Sequence, residues 1–210
     1  ADPAQFDPEE MYRNRLYMPD AGAAALAEAY LDRIMSECNS VGGVVECVID
    51  GLPAGVGDPV FEKYDASLAK AILSIGAVKG FEIGDGFQAA KSVGSENNDA
   101  FRMDESGKIK KETNHAGGIL GGISDGSRVV LRAAFKPTPS IAQQQKTVTR
   151  GMEETDIAIK GRHDPIIVPR AVVVVEAMAA LTTADLLLLS MTSRLDRIQG
   201  FFGVHSAEHL

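Results

Sequence analysis

Apolar residues recur at helical spacing early in the chain. Ala23, Leu26, Ala27, Tyr30, Leu31, Ile34 and Met35 share one side of a predicted helix that Asp20 can cap. Gly42 and Gly43 end that pattern, and the β-branched run at 44–50 predicts a strand. Residues 51–57, with three glycines, read as a loop. Asp58-Pro59 predicts a helix start, with Phe61, Leu68, Ala69, Ile72 and Leu73 on one side. A short strand is predicted over residues 78–83. From 95 to 113 periodicity lapses into acids, amides and lysines, which predicts an exposed loop or β-excursion with its lysines on a solvated edge. A strand at 128–135 follows, then extended backbone at Pro137 and Pro139, then a strand pair near 147–150 and 155–160. The last element is a long helix over about 169–193. Its four valines favour a strand, but a run of this length is helical. Residues 171–189 are so apolar that burial nearly all round is expected. Glu176 and Asp185 would each cost about 2.5–3.5 kcal/mol at a lipid-embedded helix centre, which argues against a membrane span.

Composition adds limits rather than detail. The 210 residues are 45% hydrophobic and 24% charged, which excludes a disordered tail and leaves room for one domain or two small ones. The 29 acidic residues outnumber the 21 basic ones, so the basic footprint of a nucleic-acid binder is missing. Two cysteines, Cys38 and Cys47, are too few for a disulfide framework, and both are expected as buried thiols. Residues 1–5 carry neither the basic nor the apolar region of a secretory signal, so a cytoplasmic location is the expectation.

Several clusters could carry chemistry. Gly84-x-Gly86-x-x-Ala89 follows a strand, but no second strand with an acidic end follows it; glycines at a tight turn explain it better than a nucleotide site. Residues 114–124 place four glycines within 117–122, leaving bare backbone that could face a flat ligand or form a crowded turn. Lys136-Pro137-Thr138-Pro139-Ser140 fixes a cation and two hydroxyls on extended backbone, which would suit an anion. Gly161-Arg162-His163-Asp164-Pro165 packs a guanidinium, an imidazole and a carboxylate into one turn; the alternative is a structural salt bridge. His205 and His209 have helical metal spacing but lie in a tail, and no metal site is expected.

Together these blocks resemble the chorismate synthase family. GRHDPIIVPRAVVVVEAMAALTTADLLL is similar to its C-terminal signature, and NHAGGILGGISDG, AFKPTPS, GLPAGVGDPVF and SIGAVKGFEIGDGF are similar to its other blocks. The resemblance runs from about Pro8 to Phe202; residues 204–210 match no block and are read as a tail. It implies an α/β fold of the α+β type, a β-α-β sandwich with helices layered against antiparallel sheets. The family's N-terminal portion, with a Gly-Glu-Ser-His-Gly motif, two catalytic histidines and most phosphate-binding arginines, has no counterpart in residues 1–210. The chain is therefore read as the C-terminal portion of a single-domain core, incomplete and inactive alone. The implied parent is a homotetrameric carbon–oxygen lyase of the shikimate pathway that converts 5-enolpyruvylshikimate-3-phosphate to chorismate and phosphate with reduced FMN. By the same resemblance Gly76, Ala77, Gly121, Lys136, Pro137, Thr138, Pro139, Ser140 and Arg162 would touch FMN. Arg162 would also clamp substrate, and Asp164 would act as base. The alternative is a non-catalytic module that keeps only packing or assembly surfaces.

Overall fold

The structure, a computed structural model, describes residues 7–161 and 163–203. In chain order it contains α1 (Pro8–Met11), α2 (Ala21–Ser36), β1 (Gly43–Ile49), α3 (Tyr64–Leu73), β2 (Val78–Ile83), α4 (Gly94–Asn97), β3 (Phe101–Met103), β4 (Ile109–Lys111), β5 (Ile119–Leu120), β6 (Ile123–Ser124), β7 (Val129–Phe135), β8 (Gln145–Val148), β9 (Glu154–Ile157), α5 (Val168–Ser190) and α6 (Leu195–Phe201). Two compact units form from interleaved stretches. The first takes residues up to 45, 76–80 and 133–174; the second takes 46–75, 81–132 and those from 175 onward. A three-stranded sheet of order β1-β7-β2 has residues of all three strands in both units. Its middle strand, β7, buries Val129, Val130, Leu131, Ala133 and Phe135, as an apolar run interrupted only by Arg132 should at a central position.

In the first unit α2 starts where its cap predicts, the Asp20 carboxylate accepting the Ala23 N–H at 2.8 Å. Of its predicted stripe only Leu31 and Ile34 are buried, joined by Ala24 from outside it, while Leu26, Tyr30 and Met35 stay exposed. The β8–β9 hairpin pairs Gln145 with Ile157 through Val148 with Glu154, slightly earlier in sequence than expected.

The second unit corrects two expectations. Helix α3 begins at Tyr64 rather than at Asp58-Pro59, because Asp58 donates its N–H to the Glu62 carbonyl at 3.1 Å and closes a turn instead. Phe61, expected on the apolar side, is exposed; Tyr64, Leu68 and Ile72 form the buried stripe. The 95–113 excursion is the exposed β3–β4 hairpin, yet it is anchored by a buried charge cluster. Asp99 accepts from Thr113 Oγ1 (2.7 Å), His115 N (2.7 Å), Ala116 N (3.0 Å) and Lys111 Nζ (3.2 Å). Lys111 Nζ also reaches Asp125 at 2.6 Å and is almost wholly buried, so it does not sit on a solvated edge.

Two glycine clusters in this unit have conformational causes. Gly121 and Gly122, at φ +61° and +87°, are the two loop residues between β5 and β6; a two-residue hairpin of this kind needs positive φ at both. Gly84 and Gly117, also at positive φ, approach so closely that a Cβ on either would meet the other segment's backbone. That close approach accounts for the first glycine of the Gly84-x-Gly86-x-x-Ala89 pattern, whereas a Cβ at Gly86 would meet the Glu82 side chain.

Helix α5 runs through both units and, with the turn after it, forms a 26-residue segment long and apolar enough by length and composition to cross a membrane. It is not buried all round. Ala171, Val175, Ala179 and Leu186 make one buried stripe, while Val173, Val174, Leu181, Leu188 and Leu189 are exposed. Apolar composition gives a helix the capacity for burial, but neighbours must supply the cover. Thr183 donates to the Ala179 carbonyl at 2.7 Å, so the Tyr64 hydroxyl donates to Thr183 at 2.7 Å and ties α3 to this helix.

Candidate active site

Most of the candidate residues lie in the first unit, where three segments meet. The Lys136 N–H donates to the Ala77 carbonyl at 2.9 Å, setting the start of the Lys136–Ser140 segment beside Gly76 and Ala77. Ala77 holds φ +71°, unusual for a residue with a side chain, and an added Cβ at Gly76 would meet nothing within 4 Å. The Lys136–Ser140 segment is fixed from two other directions. Ser40 Oγ donates to the Thr138 carbonyl at 2.6 Å, and Ser140 Oγ lies 2.9 Å from His163 Nδ1. Gly42 explains why that path is open: a Cβ there would run into the Phe135 carbonyl and crowd Pro137. Thr138 Oγ1 is buried and has no hydrogen-bond partner among the described residues, a cost that a bound polar group would remove.

The turn before α5 presents His163 and Asp164. Val41 N donates to the Pro165 carbonyl at 2.9 Å, which holds the turn against the end of the α2 segment. Asp164 Oδ2 accepts from Arg170 Nη1 at 2.7 Å, leaving Oδ1 without a partner among the described residues. A cleft of about 170 Å³ opens here, lined by Met35, Cys38, Ile141, Ala142, His163 and Asp164 among others. Arg162, expected to touch both cofactor and substrate, lies outside the described residues, as do His205 and His209. Gly121 belongs to the second unit, at the β5–β6 turn, with open space around it. Lys136 is exposed, as an anion handle must be.

Sequence reading missed Arg170, whose ion pair with Asp164 spans a turn-to-helix junction that no periodicity marks. The cysteines are corrected too. Cys38 is exposed at φ +55°, just past the end of α2, where the chain has already left the helix face. Cys47 is half-buried; burial first, and then the Glu176 carboxylate, push its thiol up to about 11, so it stays protonated and unreactive. Among the described residues no three His, Cys, Asp or Glu side chains gather as a metal site.

Known proteins match along nearly the whole chain. The family model described as chorismate synthase matches residues 4–188. The chorismate synthase of Agathobacter rectalis is 66% identical over 197 residues, which is 94% of this chain and 53% of that protein. The chorismate synthase of Archaeoglobus fulgidus is 57% identical over 182 residues, 86% of this chain and 50% of that protein. A crystal structure of chorismate synthase superposes with a TM-score of 0.74 at 29% identity, covering 97% of this chain and 55% of that one. The chain spans about half the length of the curated relatives it matches. With the blocks quoted above falling inside the matched region, the chain belongs to the chorismate synthase family.

Proposed function

We propose that this chain supplies the C-terminal share of a chorismate synthase active site. The reaction is the loss of phosphate from C3 and of hydrogen from C6 of 5-enolpyruvylshikimate-3-phosphate, giving chorismate. When bound, reduced FMN supplies transient electron donation with no net redox change. The residues present fit that cofactor: the unpartnered, buried Thr138 hydroxyl is the observation that carries this reading, set between an exposed Lys136 and the Ser140 hydroxyl. Lys136 would neutralise an anionic group, and the open backbone at Gly76 and Ala77 would let a flat ring approach. Arg162 would complete the set and also hold substrate. Asp164 would act as base through Oδ1, while Arg170 orients the carboxylate through Oδ2.

Flavin titration of the chain, followed by fluorescence, tests this reading. Saturable FMN binding that weakens about tenfold or more in Lys136→Ala is expected, since a charge-assisted bond to phosphate is removed. No flavin binding at all would favour the reading of a non-catalytic packing module.

A further inference from the structure

His163 is the member of the Arg162-His163-Asp164 trio to which the proposed function gives no task. Its ring is held at both nitrogens. Nε2 lies 3.0 Å from the Ile159 carbonyl oxygen, and Nδ1 lies 2.9 Å from Ser140 Oγ. A carbonyl oxygen can only accept, so Nε2 carries the ring proton, and in the neutral ring Nδ1 is a bare lone pair. That lone pair can only accept in turn, so the Ser140 hydroxyl proton points at the ring. Ser140 is left with oxygen lone pairs for anything else that approaches. The neighbouring Thr138 hydroxyl, by contrast, has no partner among the described residues and keeps its proton free to donate.

We infer that His163 is a positioning residue that fixes Ser140 as a hydrogen-bond acceptor. The group Ser140 receives is then a donor of the flavin, a ribityl hydroxyl or a ring N–H, and not a phosphate oxygen. The flavin half of this inference rests on the proposed function; the polarity of Ser140 does not. An anionic oxygen opposite Ser140 would meet a lone pair with no proton between them, so the phosphate is left to Lys136 and Thr138. Among the described residues, the charged and titratable groups near the ring are Asp164 on its own turn, tied to Arg170 at 2.7 Å, and the Cys38 thiol across the cleft from the segment after α2. Lys136 stands at the head of the segment that carries Ser140. The inference concerns the neutral ring, so measurements belong at about pH 8, above the usual imidazole range.

Nitrogen-15 NMR of the chain reads the tautomer directly. A protonated Nε2 and an accepting Nδ1 are expected at His163; the opposite tautomer overturns the inference. Affinities for FMN and for riboflavin, the same flavin without its phosphate, then read the contact. Ser140→Ala is expected to weaken both by the same factor, about three- to tenfold. His163→Leu should match that loss and add nothing to Ser140→Ala in the double variant. His163→Asn, whose amide oxygen can take the Ser140 proton, should restore most of the affinity. A loss confined to FMN would place Ser140 on the phosphate and overturn the inference, as would additive losses. Binding of neither flavin would overturn the proposed function and the flavin half together, while the nitrogen shifts would still decide the polarity of Ser140.

Discussion

Asp99 shows how much one side chain can hold. Burial on its own would raise its pKa, but the Ala116 and His115 N–H groups, the Thr113 hydroxyl and the Lys111 ammonium together hold it well below the usual carboxylate range. Asp125 is lowered in the same way, chiefly by the Lys111 ammonium, against the opposing effect of burial. A carboxylate depressed in the folded state stabilises above its unfolded value of about 3.9, and that contribution is lost as pH falls through the lowered value. Asp99→Asn should therefore cost about 3 kcal/mol in urea unfolding at neutral pH, since it leaves buried donors facing an amide. The cost should shrink as pH falls from about 5 toward 2, where the carboxylate of the unfolded chain takes up a proton while the native one, held lower, is still charged. A cost that stays constant over that range would mean that the negative charge is not what holds the cluster. Nothing in the sequence marks Asp99, since it sits in a stretch without periodicity and half of its hydrogen-bond partners are backbone N–H groups. Asp164 was legible because three polar residues share one turn; its partner Arg170 was not, because an ion pair across a turn leaves no spacing signal.

At the scale of elements, propensity and capping located α2, β2, β7 and α5 to within a few residues. The start of α3 was misread because proline at a helix start and proline in a preceding turn look alike in sequence. The glycine clusters are more informative than their motifs. Gly84→Ala should destabilise by more than about 2 kcal/mol, combining positive φ with a collision against the His115 carbonyl. Hydrogen exchange should then show loosening at residues 84–86 and 114–118; unchanged protection there would contradict the close approach. The tie between α3 and α5 is separable from both. Tyr64→Phe should cost about 1 kcal/mol by removing the Tyr64–Thr183 hydrogen bond from a fully buried ring. A neutral substitution in thermal unfolding would mean that Thr183 finds another partner.

Across the whole molecule, the apolar residues left exposed on α5 are what the sequence could not foresee. The pattern reported an apolar helix, and only its neighbours could decide which faces are covered. Val173, Val174, Leu181, Leu188 and Leu189 should make the chain bind a hydrophobic dye such as ANS and self-associate at high concentration. Light scattering from a dye-silent monomer would contradict that. The chain aligns with about half of each relative, and alone it is expected to give no turnover with reduced FMN supplied. The most direct measurement is chorismate formation by the chain fused behind the first half of the Agathobacter rectalis relative, with and without Asp164→Asn. Turnover is expected in the fusion, with a loss of about a hundred- to ten-thousand-fold with Asp164→Asn and little change in FMN affinity. Normal turnover with Asp164→Asn would contradict that.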